Sequence, residues 1–489
     1  MSRHYLAIDL GAESGRAIAG QLESGVLVVR EVCRFANEPV RQARSLCWDV
    51  LRLWLEIQRA LDRAGEQRFD SVGLDGWGVD YALVGERGNL LENPYHYRDL
   101  RNEGIMADVF ERVGRDRIYG ITGIQFLQIN TLFQLYAACR YTPRVIDAAE
   151  SLATIPDLFN YWLTGQLVSE YTNATTTQFV DARQRTWALR LLNELGLPTR
   201  LLTPIVQPGT VLGPIRSGIT SRLTGTPVVA PACHDTASAV ASVHAGGQTA
   251  FLSSGTWSLV GTEVTSPVMT AKARDLNFTN EGGVCGTIRL LKNITGLWLL
   301  QSCRRAWVAA GEHVEYDDLL AAAADERLAF VSLIDPDHPT LLNPPDMPAA
   351  IAAYCRQTAQ PEPATRPAYA RAILESLALK YRLTLDWLEE LTGQTITEIR
   401  IVGGGSRNRL LNQFTADATG RTVAAGPVEA TALGNIAMQM LATGAVTSLA
   451  EARDVIDRSF PVERYLPAES DRWEAPYRRM LDYVEFTCA

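Results

Sequence analysis

The chain has 489 residues, of which 47% are hydrophobic and 21% charged, with a formal net charge of -9. That balance suits roughly two to four folded domains and excludes a disordered chain, while the lack of any Lys/Arg run excludes a basic nucleic-acid surface. Asp9 interrupts the apolar start, so it does not read as a signal peptide, and no apolar run reaches the ~18 residues of a membrane span; a cytoplasmic chain with no membrane or nucleic-acid partner is expected.

Residues 5–8 read as a short strand, 10–15 as a turn containing Gly11 and Gly15, and 16–20 as a second strand. This turn joins strand to strand, unlike a Rossmann or Walker loop, which joins strand to helix. Glycines let backbone N–H groups come close to a phosphate chain, a carboxylate such as Asp9 at a strand end suits magnesium, and Arg16 suits phosphate oxygens. The same residues equally make a plain hairpin with a surface arginine. Asp49 suits the N-cap of a helix with Val50, Trp54, Ile57 and Leu61 on one face. Residues 71–75 form a further strand, followed by a Gly76-Trp77-Gly78 corner and an extended run over 79–84. Trp77 either offers an apolar wall to a sugar or is a core residue of a tight turn. Residues 98–197 read as mostly helical.

A buried strand over 228–232 ends at His234-Asp235-Thr236, where an alanine-rich helix begins. Asp235 is either the helix N-cap or a general base for a sugar hydroxyl, in which case Thr236 is the cap and His234 a sugar ligand. The strand-turn-strand pattern returns over 250–261, with Ser253-Ser254-Gly255-Thr256 as a second phosphate turn or an ordinary Ser/Gly turn. Two lobes, residues 1–246 and 247–489, account for the echo. Asn293 follows Lys292 and precedes a helix bearing Trp298 and Gln301; its amide can donate to and accept from a sugar oxygen, or is simply structural. Ala370, Leu374, Leu377, Tyr381, Leu385 and Leu388 keep helical spacing between Pro367 and a capping Gly393. A strand over 398–402 runs into Gly403, Gly404 and Gly405, a surface for close approach of a flat nucleotide or a flexible connection to the next helix. The eight cysteines are scattered, as expected of reduced thiols rather than a metal site or disulfide framework.

Taken in order, residues 9–16, Trp77-Gly78, Tyr97-Arg98-Asp99, His234-Asp235-Thr236, 253–256 and 403–405 resemble the FGGY carbohydrate kinase family, over about residues 4–445. The longer runs 76–80, 123–127, 170–178, 234–240, 252–259, 292–294 with 296–301, and 426–430 are most similar to its L-rhamnulose-phosphorylating members. The resemblance implies an α/β fold of two ribonuclease-H-like lobes of the actin/Hsp70 ATPase type, with an interdomain nucleotide cleft. The N-terminal lobe would carry the sugar site, the first phosphate loop and the catalytic aspartate; the C-terminal lobe would carry the second phosphate loop and the adenosine site. The implied reaction is transfer of phosphate from ATP to a ketose, L-rhamnulose. Another ketose such as L-fuculose, or an actin-like ATPase that binds a protein partner, are the alternatives.

The resemblance also implies roles by residue. Ala12, Glu13, Ser14, Gly15, Arg16, Thr256, Gln301 and Gly404 would contact ATP. Gly78, His234, Asp235, Thr236 and Asn293 would contact the ketose. Asp235 would accept the proton and Asp9 would organise Mg2+. Two positions depart from the family pattern. Glu13 stands where small hydroxyl residues are usual, so its side chain is expected to point outward, with only its amide used. Ala372, Thr415 and Thr419 stand where relatives can carry cysteines, so Cys355 is expected to have no disulfide partner. Monomer and dimer both remain open.

Overall fold

The structure, a computed structural model, describes residues 2–484. The chain forms two compact units. The first takes the segment ending at His244 together with Glu263–Leu290 and Ala430–Phe460; the second takes Ala245–Thr262, Leu291–Glu429 and the segment from Pro461 onward.

The sheet of the first unit has the order Thr210–Pro214, Pro227–Ala230, Ser71–Gly76, Arg3–Leu10, Ser14–Glu23, Val26–Ala36. The strand-turn-strand expected at the N-terminus is present, with Asp9 opposite Arg16. Arg3–Leu10 and Pro227–Ala230 both run parallel to Ser71–Gly76, so three carboxyl ends emerge side by side. Strands buried on both faces carry apolar residues at successive positions. Leu6, Ile8, Val72 and Leu74 pack with Leu53, Ile57, Leu61 and Leu158 on one face. Tyr5, Ala7 and Ile18 pack with Leu433, Ile436 and Met440 on the other. Asp49 caps the helix Val50–Ala64 by accepting from the Arg52 N–H at 3.1 Å. The helix Ala430–Ala442 crosses Asp235–Ala241 so closely that a β-carbon at Gly434 would lie 1.7 Å from the Ser238 carbonyl oxygen.

The sheet of the second unit contains the run Ile288–Thr295, Trp257–Val264, Thr249–Ser254, Glu398–Val402, Thr422–Ala425, Glu463–Tyr465. Here too an antiparallel hairpin comes first and its leading strand pairs in parallel with a later one. The helix Arg366–Thr392 is capped by the Thr365 hydroxyl at one end and by left-handed Gly393 (φ 68°) at the other. Its buried Lys380 pairs with Asp335 at 2.8 Å and Asp337 at 3.2 Å. Seven cysteines are free, and Cys488 lies outside the described residues. Among the described residues no helix is long and apolar enough to cross a membrane.

Candidate active site

The three parallel strand ends of the first unit each deliver an acidic residue. Asp9 and Asp75 are register partners on adjacent strands, and the Gly76 N–H donates to the Cys233 carbonyl at 2.9 Å, which sets Asp235 beside them. Ligand sites in open parallel sheets lie at the carboxyl ends of strands. Arg16 donates to Asp9 Oδ2 through Nε at 2.8 Å and Nη2 at 2.6 Å. So the guanidinium expected at phosphate oxygens rests here on Asp9. Asp75 accepts from the Asn435 amide at 2.6 Å. Asn435 in turn accepts from Gln439, which is bonded to the Ser71 hydroxyl at 2.7 Å. Burial and then Asp9 push the Asp75 carboxyl well up, against the Asn435 hydrogen bond.

In the turn after Asp9, the Gly11 N–H donates to the Ser14 carbonyl at 3.0 Å and Asn37 bridges Gly11 and Glu13. Glu13 is exposed; Ala12, Ser14 and Arg16 are half-buried and Gly15 buried.

Asp235 opens the helix Asp235–Ala241 as its first residue. The sequence leaves Asp235 or Thr236 as the cap; the structure gives that position to His234, with no side-chain capping hydrogen bond. The Asp235 carboxylate instead accepts from the Thr236 hydroxyl at 3.1 Å, and its side chain is 28% exposed. Burial of the rest raises it above the usual carboxylate range, opposed by His234 and assisted by Asp9.

The backbone leading to Asp235 is held by a buried carboxylate that the motif reading left without a role. Glu170 accepts from the Cys233 N–H at 3.0 Å and from the Thr172 hydroxyl at 2.6 Å, and that hydroxyl accepts from the His234 N–H at 3.2 Å. Burial pushes Glu170 up, opposed by these hydrogen bonds. An acidic residue just ahead of the hydroxyl-rich run 172–177 is the one signal for it in the sequence.

Gly78 sits so near Thr176 that a β-carbon would lie 3.0 Å from its hydroxyl oxygen. Val79 follows at φ 67°, a strained conformation for a β-branched residue. It is pinned by its N–H to Thr176 at 3.1 Å and by Thr131 to its carbonyl at 2.6 Å. Beneath it, Asp80 accepts from the indoles of Trp48 at 2.5 Å and Trp77 at 3.1 Å, and from Gln134 at 2.8 Å. Burial pushes Asp80 up to about 6 against these bonds. Trp77 is 5% exposed, so it anchors the loop from below and does not present a sugar-stacking face.

A separate group belongs to the second unit. The Leu297 N–H donates to the Gly255 carbonyl at 3.0 Å and the Trp298 N–H to the Thr256 carbonyl at 3.2 Å, which starts the helix Trp298–Ala309 that bears Gln301 against the turn. Gln301 Oε1 is enclosed with no hydrogen-bond partner among the described residues. Asn293 lies on the strand Ile288–Thr295, whose end is tied by the Thr295 N–H to Asp337 at 2.9 Å. The close approach expected of the glycines is to protein: β-carbons at Gly403 and Gly405 would lie 3.1 Å from the Ser254 carbonyl oxygen and 2.0 Å from its hydroxyl oxygen. Gly404 meets no atom within 4 Å and faces open space. The structure thus brings Asp9, Arg16, Gly78, His234, Asp235 and Thr236 together within one unit, and Thr256, Asn293, Gln301 and Gly404 within the other.

Comparison with known proteins divides the chain into two successive stretches, whereas the compact units are interleaved: Glu263–Leu290 and the start of Ala430–Phe460 fall in the second stretch but in the first unit. Residues 4–242 match the N-terminal domain and residues 250–443 the C-terminal domain of the FGGY family of carbohydrate kinases. A rhamnulokinase of Bacteroides thetaiotaomicron is 44% identical over 483 residues, 98% of each chain. One of Pectobacterium atrosepticum is 45% identical over 475 residues, 96% of this chain and 94% of its own. The crystal structure of a gluconate kinase from Lactobacillus acidophilus superposes with a TM-score of 0.82 at 17% identity, over 99% of this chain and 97% of that one.

Proposed function

This chain belongs to the FGGY family of carbohydrate kinases, and from that premise we propose that it transfers phosphate from ATP to L-rhamnulose, yielding ADP and L-rhamnulose 1-phosphate. It is a phosphotransferase with the two-lobed, actin/Hsp70-like ATPase fold. The observation that carries the substrate is the 44% identity to a rhamnulokinase over 98% of both chains. The reading also puts the enzyme in the cytoplasm, where ATP is abundant and thiols stay reduced.

The chemistry assigns a role to each residue. The ketose primary hydroxyl oxygen attacks the γ-phosphorus and forms a new O–P bond. The bond from that phosphorus to the bridging oxygen breaks, and its electron pair leaves with ADP. Asp235 takes the hydroxyl proton; its part-buried carboxylate makes a stronger base than a fully solvated one. His234, Thr236, Gly78 and Asn293 orient the ketose. Residues 12–16 with Thr256, Gln301 and Gly404 receive the nucleotide, so that residues 1–246 carry the base and the acceptor contacts other than Asn293, and 247–489 the adenosine end.

The carboxylates also fit magnesium. Asp75 Oδ1 is buried with no hydrogen-bond partner among the described residues and lies on the strand beside Asp9. Magnesium takes oxygen ligands and usually binds one or two carboxylates together with water and phosphate oxygens. Asp9 and Asp75 would hold the ion, which when bound supplies neutralisation of phosphate charge.

The test is an ADP-release assay over a panel of ketoses with and without magnesium. Fastest, magnesium-dependent turnover with L-rhamnulose is expected. Preference for L-fuculose would reassign the substrate, and ATP turnover independent of any sugar would favour the ATPase alternative.

A further inference from the structure

His234 is gripped by two buried residues with no part in the transfer step. Its Nδ1 lies 3.1 Å from Arg289 Nη2 and 3.4 Å from Glu281 Oε2, and Arg289 Nη2 is itself 3.1 Å from that same Glu281 oxygen. Across the ring, Nε2 lies 3.5 Å from Asp235 Oδ1. The Arg289 side chain is 0% exposed on the strand Ile288–Thr295, and its Nε donates to the Gly282 carbonyl at 2.9 Å. The guanidinium is therefore held on both sides.

A guanidinium offers donors only. Facing Nδ1, it calls for a lone pair there, since an Nδ1–H would set two donors against each other. Glu281 is the competitor, because a carboxylate at Nδ1 calls for a proton. Arg289 prevails on two counts: its contact is the shorter, and it has hydrogen-bond geometry, whereas Glu281 Oε2 stands at ion-pair distance from both groups without that geometry. With Nδ1 accepting, the neutral ring carries its proton on Nε2, the nitrogen that faces Asp235.

We propose that Arg289 is a positioning residue that locks His234 in the Nε2–H tautomer, so that the acceptor Asp235 stands beside a donor matched to the oxygen next to the ketose's reacting hydroxyl. This rests on the reading of residues 234–236 as the ketose-binding segment. A ketose presents this pair on neighbouring carbons: the C1 hydroxyl gives its proton to Asp235, while the C2 oxygen accepts from His234 Nε2–H. The other tautomer would offer two acceptors to one hydroxyl proton and leave the C2 oxygen without a donor.

Two measurements test this. The first is ring nitrogen NMR of the full-length protein labelled with 15N-histidine, with the His234 signals identified by their loss in His234→Asn. A neutral ring protonated at Nε2 is expected; a proton on Nδ1, or on both nitrogens, overturns the proposal. The second compares Arg289→Met with Arg289→Lys. Arg289→Met is expected to raise the ketose KM about 10-fold, as for one lost hydrogen bond, with the KM for ATP unchanged. Arg289→Lys, which keeps a donor-only cation, is expected to recover part of that loss. An unchanged ketose KM in a folded Arg289→Met protein, or no recovery by lysine, overturns it. If Arg289→Met does not fold, the spectrum of the unmutated protein decides alone. A chain that phosphorylates no ketose would sink the kinase reading, whereas the tautomer is read without any sugar.

Discussion

Asp9 and Asp75 occupy matching positions on neighbouring parallel strands, yet they are answered differently: Asp9 by the charged Arg16, Asp75 by the neutral amide of Asn435. Two adjacent carboxylates cannot both ionise cheaply away from water. Asp75 therefore keeps a strong tendency to hold a proton, and a cation arriving at Asp9 relieves the same repulsion.

Replacing Asp235 with Asn keeps the size of the side chain and removes its basicity. Turnover is expected to fall by roughly 10²–10⁴, as for a lost general base, with ketose binding little changed. Steady-state kinetics check this, and near-normal turnover would refute the assigned role.

The acid side of the pH–rate profile should report the same carboxylate. Below its folded-state value Asp235 is protonated and cannot take the hydroxyl proton, so kcat/KM falls as pH falls. Because burial raises Asp235, the fall should begin above the ~3.9 of an ordinary aspartate. A profile flat down to that value would contradict it.

Asp157, which accepts from the Thr154 hydroxyl at 2.7 Å and from the Glu170 N–H at 3.2 Å, is pushed up from 3.8 to about 8 by burial. Between those values the folded chain keeps a proton that the unfolded chain releases. This contribution to stability is full below 3.8, declines as pH rises, and is gone above about 8. Asp157→Asn should therefore flatten the decline in stability seen by urea unfolding between about pH 4 and about pH 8. An unaltered slope would show that another group is responsible.

Gly434 permits the helix Ala430–Ala442 to lie against the helix that starts at Asp235. Alanine normally stabilises a helix by about 1 kcal/mol over glycine. Here its methyl would enter the Ser238 carbonyl, so a net loss of about 1–3 kcal/mol is expected, with reduced turnover as Asp235 shifts. Denaturant midpoints and kcat measured together test this; a stabilised variant would show that the helices part freely.

Local features of the chain were legible in its sequence. The turn from Asp9 to Arg16, the Asp49 cap, the Gly393 stop and the helix after Cys233 all depend on near neighbours, whose propensities act within a few residues. Longer-range partnerships were not. Asp75 and Asn435 are 360 positions apart, and only the i, i+4 pair Asn435 and Gln439 on a largely apolar helix hints at a buried polar partner. Trp77 illustrates the reverse case. Flanking glycines suit a sugar wall, but Asp80, three residues on, captures the indole N–H and takes the ring inward. At Gly403 and Gly405 the close contact is with Ser254, a partner that local spacing could not name, whereas Gly404 meets no atom within 4 Å.

The return of Ala430–Phe460 to the first unit bears on how the chain matures during synthesis. Tyr5, Ala7 and Ile18 emerge from the ribosome early, yet Leu433, Ile436 and Met440, which cover them, are translated more than 400 residues later. Until then one side of the leading sheet stays uncovered, an aggregation hazard of the kind chaperones manage. A truncated product ending at residue 246 should accordingly be insoluble, and supplying residues 430–460 as a separate fragment should restore part of its solubility.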